Sequence, residues 1–365
     1  MILAAVTGRA PAYATDRDAN TDLFRAAAIL LVLAHHLAPY LQLPGLAGGI
    51  VHWLHELGLY GVDVFFVLSG WLIGGLYWKE HEKTGGVHIG RFWVRRWFRT
   101  LPPYAVWLLI SFAGQAVILG ATFNWQYLVF LQNYMPEIPW FSVSWSLCIE
   151  EHFYLLLPLL MLLILRLPVS AVWALLALTL ISPVARLMIS PEEVVAAYSR
   201  DFGYVRSATH LRFEGLAIGV LLAYIYRRDG DLWGRVSRLC RWLALPGLLV
   251  FLTIPLWNVY LVYYAGYTAV SLICACLLVA LLTCRPLKLA RWRATYWVAL
   301  TSYSLYLTHT IIIRGYVEVM NREALNLWLE TPALLALCFI AGYLGYLLIE
   351  KPAIKWRDRV CPKHF

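Results

Sequence analysis

Charge is what this chain has least of. Only 14% of its 365 residues are Asp, Glu, Lys or Arg, while 61% are hydrophobic; a soluble domain carries about 25% charged residues. A water-soluble core cannot hide that much apolar surface, so the composition excludes a soluble globular enzyme and implies an integral membrane protein with several spans. Acid is scarcer than base, 21 residues against 30, for a net charge of +9. Polytopic proteins collect such an excess in cytoplasmic loops, so it makes no case for a nucleic-acid partner. The seven cysteines form no framework. Cys148, Cys274, Cys276 and Cys338 lie in apolar runs, and Cys274 and Cys276 point to nearly opposite sides of a helix. Cys361 is one place off a prenylation box. All read as packing residues or free thiols.

Several signatures are also missing. No Walker loop, GxSxG elbow, HExxH pair or zinc-spaced cysteine cluster is present, and no metal is expected. No repeat or low-complexity tract interrupts the chain, which therefore reads as a single domain over 1–365, with a transmembrane core at 22–351 and a cytoplasmic tail at 352–365. The opening MILAAVTGRAPAYATDRD has neither the apolar run nor the basic start of a cleaved leader, so the first span is expected to be an uncleaved anchor.

What is present is an all-α pattern of about ten apolar runs, near 23–43, 57–78, 102–120, 143–165, 169–189, 210–226, 242–258, 262–284, 296–313 and 332–349. With the amino terminus inside, the loops after spans two, four, six and eight and the carboxyl terminus hold nearly all the Lys and Arg. The other side keeps Arg200, Arg206, Arg314 and Arg322. The bias predicts both termini in the cytoplasm. Residues 121–142, rich in Trp and Tyr, hold an apolar patch too short to span. They are expected to be a re-entrant or surface-lying outer segment, and a possible lid.

Polar residues inside the spans are the functional candidates, because an ionisable group at mid-depth costs about 2.5 kcal/mol or more without a partner or water. In DLFRAAAILLVLAHHLAPY, Arg25 and His36 are eleven helical steps apart. Those steps put them on one face, about 16 Å apart. Span two carries Asp63 and Ser69. Span four carries Ser146, Glu150 and Tyr154 on one face, with Glu151 and His152 pointing elsewhere, and span nine carries His309. Ser69 and Tyr154 have a plain reading as interhelical hydrogen-bonding groups and a second one as substrate contacts. Arg212 and Glu214 read as a structural pair near the outer surface. His52, His55 and Glu56 in HWLHE make a weak metal signal and read better as a wet helix end. RFWVRRWFRTLPPY holds four arginines in nine residues. It is expected to be an amphipathic helix stopped by Pro102-Pro103. Arg96 and Arg99 on it are either topology anchors on anionic lipid or a phosphate cradle.

Taken together, DLFRAAAILLVLAHH, GVDVFFVLSGWLI, RRWFRTLPPY, WSLCIEEHFYLLLP, SYSLYLTH and the closing EKP resemble the acyltransferase-3 family of bacterial-type membrane acyltransferases across nearly the whole chain. The resemblance implies a ten-span inner-membrane (plasma-membrane) enzyme that takes acyl groups, most simply acetyl from acetyl-CoA as co-substrate, on the cytoplasmic side. It would place them on hydroxyls of a carbohydrate or related acceptor. It makes His36 the essential histidine, Arg25 its paired basic residue, Arg96 and Arg99 the cytoplasmic arginine pair, and Glu150 the acid of the WSL motif. His35 departs from the family's usual residue there, which leaves the choice between His35 and His36 to experiment. The chain reads as the stand-alone form, without the fused extracytoplasmic hydrolase-like domain of some relatives.

The chemistry of O-acyl transfer needs a base for the alcohol proton and stabilisation of the tetrahedral oxyanion. His36 suits the first need, with Glu150 or Asp63 to orient it, and His309, Tyr154 and Ser69 are expected to contact substrate. Direct transfer and an acyl-histidine intermediate both remain open. A transporter using Arg25, His36, Asp63, Glu150 and His309 as a proton or substrate pathway is the competing class; the absence of an internal hydropathy repeat and of paired broken spans weighs against it.

Overall fold

The computed structural model describes residues 18–199 and 203–362. Every regular element is helical, and no strand occurs among the described residues. The protein is an all-α polytopic membrane protein. The amino-terminal stretch read above as lacking a leader lies outside the described residues, as do Arg200 and Lys363.

Each of the ten expected spans falls on a helix, but they do not all qualify alike. Seven helical stretches are long and apolar enough to cross a bilayer, and an eighth does so if Ala171–Arg186 and Pro191–Tyr198 are counted together across an 85° bend. Two others fall short for different reasons. Glu214–Arg228 has 15 residues, about 22 Å of helix against a ~30 Å hydrocarbon core. Arg293–Val319 has 27 residues, but it buries Thr301, Ser302, Ser304, Thr308, His309 and Thr310 and so lacks a window apolar enough to qualify.

The chain packs as two compact units, each built from segments distant in sequence. One joins the chain up to Phe65 with Leu278–Pro352; the other joins Phe66–Leu277 with the chain from Ala353. In the first unit, α1 (Ala19–Leu37) packs against α2 (Gly45–Gly58), and a long helix, Arg293–Val319, packs on both α1 and Glu330–Gly345. Asp18 caps α1 by accepting from the Thr21 amide at 2.7 Å. Asn20 anchors that end: its amide donates to the Leu281 carbonyl at 2.8 Å and its carbonyl accepts from the Leu287 amide at 3.1 Å. Gly58 lies directly against the Leu31 carbonyl and the His35 backbone, a closeness any Cβ would forbid. Small residues let helices approach in this way where lipid offers no hydrophobic drive.

In the second unit, Glu214–Arg228 is the buried centre. It packs on Ala171–Arg186, and it meets the helix α3 (Gly61–Thr84) where Gly70 faces the Leu216 carbonyl and Gly219 faces the Val67 carbonyl. The helix α4 runs unbroken over Ile89–Leu119, with Pro102 and Pro103 inside it. The expected stop at the prolines is therefore wrong. Each proline removes one backbone donor at a cost of about 3 kcal/mol. The two fall at the start of the expected third span, and running through them keeps the rest of the backbone hydrogen-bonded on entry to the bilayer.

Residues 121–142 are partly exposed and partly buried. They form short 3₁₀ turns at Trp125–Leu128, Gln132–Tyr134 and Ser142–Ser144, with Phe130 and Phe141 at positive φ of 58° and 47°. Their polar groups bind inward. The Tyr127 hydroxyl donates to the Trp140 carbonyl, Gln132 Nε2 donates to Ser144 Oγ at 3.0 Å, and Asn133 Nδ2 donates to the Ser207 carbonyl at 3.0 Å and Thr209 Oγ1 at 2.9 Å. Tyr127, Gln132 and Asn133 are fully buried. The segment is therefore both interior and edge: Tyr127, Ile138, Trp140 and Phe141 are buried, while Phe123, Trp125, Leu128, Val129, Leu131 and Tyr134 are exposed. A segment held by so many buried bonds makes a poor lid.

Candidate active site

The first unit brings four histidines together. His35 and His36 are consecutive near the end of α1, so their side chains leave the helix about 100° apart. His35 stacks on His55, with ring centroids 4.4 Å apart and planes 7° from parallel. The two are tied reciprocally: His35 Nδ1 to the His55 carbonyl and His55 Nδ1 to the His35 carbonyl, each at 2.8 Å. His36 turns the other way, toward His309, at 4.8 Å between centroids and 75° between planes.

The carbonyls assign the protons on this second pair. His309 Nδ1 lies 3.1 Å from the Leu305 carbonyl and therefore carries hydrogen, which leaves its Nε2 as an acceptor. His36 Nδ1 lies 2.9 Å from the Val32 carbonyl and 3.2 Å from that Nε2, so its N–H is shared between the two. His36 Nε2 is left with its lone pair and no hydrogen-bond partner among the described residues. The ring is oriented by a backbone carbonyl and a second imidazole rather than by Asp63. Asp63 is buried, Arg25 is half-buried, and both have interactions of their own. His309, expected to touch substrate, is fully buried and touches His36 instead.

The second unit brings together most of the other candidates. Tyr154 donates to Glu150 Oε2 at 3.0 Å, one helical turn away, and Ser69 Oγ lies 2.5 Å from the Tyr154 hydroxyl. Because the tyrosine proton goes to the carboxylate, the serine hydroxyl donates to the tyrosine. The Arg96 guanidinium sits over the Tyr154 ring, 5.3 Å from its centroid, and both Arg96 and Arg99 are near enough to Glu150 to interact with its charge. Glu151 is buried, and His152 turns away to Thr209 Oγ1 at 2.7 Å.

The four clustered arginines divide cleanly. Arg91 is bound to Glu80 at 2.5 Å, and Arg95 to Asp358 at 2.9 Å and to the Cys361 carbonyl. Arg96 and Arg99 spend no guanidinium N–H on a protein hydrogen bond among the described residues. They are the two of the four whose forked donors remain uncommitted.

The expected Arg212–Glu214 pair is not formed, and neither residue reaches the surface; both are buried. Glu214 Oε1 is bound by Arg186 Nη1 at 2.6 Å. Arg186 also donates to the Leu211 carbonyl at 2.5 Å and to Thr268 Oγ1 at 2.6 Å. Arg212 lies over Tyr267, 3.6 Å from the ring centroid, and donates to the Arg206 carbonyl at 3.0 Å. Arg186 is the residue the sequence reading passed over. A lone arginine at the end of the apolar run ALLALTLISPVAR was the signal, since a span keeps such a charge only for a partner.

Among the described residues no three His, Cys, Asp or Glu side chains come together as a metal site. His52, His55 and Glu56 are no exception, since the His55 ring is committed to His35.

A family model described as an acyltransferase domain matches residues 18–349. A Staphylococcus aureus protein named "Putative O-acetyltransferase" is 29% identical over 230 residues, covering 56% of this chain and 34% of that protein. The peptidoglycan O-acetyltransferase OatA of Listeria monocytogenes is 25% identical over 383 residues, covering 95% of this chain and 57% of its own. The chain thus spans from about a third to just over half the length of these curated relatives. No solved structure matches it.

Proposed function

The chain belongs to the acyltransferase-domain family matched over residues 18–349, and from that premise we propose that it is a membrane O-acetyltransferase. In this reading it moves an acetyl group from acetyl-CoA in the cytoplasm to a hydroxyl of a carbohydrate presented on the far side of the inner (plasma) membrane. The peptidoglycan named in the Listeria relative is the first glycan to try.

The observation that carries the reading is the state of His36, whose Nδ1 is committed to Val32 and His309 while Nε2 keeps its lone pair. An alcohol is a weak nucleophile and a thioester is already a good acyl donor, so a base is the main requirement. His36 Nε2 takes the hydroxyl proton as the oxygen attacks the thioester carbonyl. The C–O bond forms, the C–S bond breaks, and the same proton goes to the departing thiolate. Between those events the imidazolium charge is shared through Nδ1–H with His309, which serves where a carboxylate serves in a Ser-His-Asp triad. Arg25 does not stabilise the oxyanion. Eleven helical residues hold it about 16 Å from His36, too far for both to meet one carbonyl. The donor's phosphates fall to Arg96 and Arg99, since forked guanidinium donors are suited to them.

Purified protein in detergent tests this. Acetyl-CoA should be converted to free CoA, and faster when a soluble glycan oligomer is added, with acetyl appearing on the glycan as an alkali-labile ester. CoA release that no hydroxyl acceptor stimulates would defeat the reading.

A further inference from the structure

Within the first unit, a pocket of about 540 Å³ opens at the end of α1 away from Arg25. It begins at Ala38, two residues past His36, and crosses Gln42 and Val51 to His52, His55 and Glu56. Its size is that of a small-molecule site, about 300–1,000 Å³. One wall is shared with the histidine group. His55 lines the pocket and also stacks on His35, which in turn meets His36 edge to face at 4.8 Å between centroids.

The lining says what would fit. His55 is fixed before anything binds, because its Nδ1 is held by the His35 carbonyl and its Nε2 lies 4.0 Å from Glu56 Oε1. His52 is exposed, Gln42 supplies an amide, and the remaining wall is leucine, valine, proline, alanine and glycine. No Lys or Arg lines the pocket, and Glu56 is its one carboxylate. A phosphate would meet an uncompensated negative charge there. A plain acyl chain would displace water from Glu56, Gln42 and His52 and return no hydrogen bond to them, a costly exchange. A sugar presents C–H faces to the apolar wall and a rim of hydroxyls to Glu56, Gln42 and His52.

We propose that this pocket is the acceptor subsite: it holds one uncharged glycosyl unit of a carbohydrate chain while the hydroxyl of a neighbouring unit meets His36. The proposal rests on the O-acetyl transfer reading for its chemistry, but the occupancy of the pocket is measurable apart from catalysis.

The test uses the full chain in detergent with chitotriose as the probe. Two variants address the pocket from opposite directions: Glu56→Gln removes the charged acceptor at constant shape, and Val51→Trp fills the space with an indole. Direct binding of chitotriose is measured by calorimetry, and acceptor and donor KM by CoA release. Glu56→Gln should weaken chitotriose binding and raise acceptor KM about tenfold or more, the loss of one charge-assisted hydrogen bond. Val51→Trp should weaken binding and raise acceptor KM further, and donor KM should stay within about twofold in both variants, since no donor contact is removed. Binding that is lost in Val51→Trp, in a protein that transfers nothing, would uphold the pocket and defeat the transfer reading. Chitotriose binding absent from the parent protein or unaltered in both variants, or a rise in donor KM instead of acceptor KM, would overturn the proposal.

Discussion

Replacing Arg186 by leucine is the sharpest probe of how the second unit is held together. Arg186 and Glu214 are essentially unexposed, at 0% and 1%, and the arginine binds Glu214 Oε1 at 2.6 Å. Its other bonds go to the Leu211 carbonyl and Thr268 Oγ1. Without Arg186 the carboxylate keeps its burial and loses its counter-charge, while Oε2 already has no hydrogen-bond partner among the described residues. Breaking a buried pair from one side costs about 3–5 kcal/mol. At ~2 °C per kcal/mol, the lower end of the range for large domains, the midpoint should fall on the order of 6–10 °C. The double variant Arg186→Leu/Glu214→Leu removes both charges and should recover most of that loss, because an apolar pair of similar volume is often as stable as the ion pair. A thiol-reactive dye reads the transition in detergent, since Cys148, Cys274 and Cys338 are buried and become reactive on unfolding. A single variant that melts within about 2 °C of the parent, or a double variant less stable than either single one, would refute the reasoning.

Three further outcomes are expected. His309→Gln keeps an acceptor for His36 Nδ1–H but cannot share its positive charge, so kcat should fall about tenfold at nearly constant KM, the difference between a charged and a neutral hydrogen bond; equal kcat would reduce His309 to packing. Arg96→Lys and Arg99→Lys keep charge and lose the fork, so acetyl-CoA affinity by calorimetry should fall and should fall further in the alanine variants; unchanged binding in the double alanine variant would leave the pair as topology anchors. Reporter fusions after residues 90, 166, 232 and 290 should read cytoplasmic and those near 130, 196 and 325 external, and an external signal at 232 would break the ten-span orientation.

The helices were legible because hydropathy reports burial in lipid directly, and α1 begins within a few residues of the expected boundary. The pattern weakened where helices bury polar groups against protein. Arg293–Val319 is the case in point, and its serines, threonines and histidine mark an inward face. Local rules misled in two places. Pro102-Pro103 reads as a stop, yet the helix runs through the pair at the edge of the expected span, where an end would leave backbone groups facing lipid without partners. Sequence proximity suggested Arg212 for Glu214, whereas the partner comes from Arg186, 28 residues earlier.

For the candidate site, the helical arithmetic that set Glu150 and Tyr154 one turn apart on one face was sound, and the structure joins them through a hydrogen bond. The same arithmetic could not supply Ser69, 85 residues away from Tyr154, or bring His309 to His36 across 273 residues. Nor could it separate His35 from His36. That distinction lies in which carbonyl and which neighbouring ring each imidazole meets.

The most direct measurement of the central claim is therefore a paired comparison of His36→Ala and His35→Ala, purified in detergent and matched for melting midpoint, in acetyl transfer from acetyl-CoA to a glycan oligomer. His36 supplies the base, so its loss should lower turnover about 10²–10⁴-fold, the range of a general base. His35 holds His55 by stacking and paired backbone bonds, so its loss should leave measurable transfer. Full activity in His36→Ala, or abolished transfer in His35→Ala alone, would contradict the account.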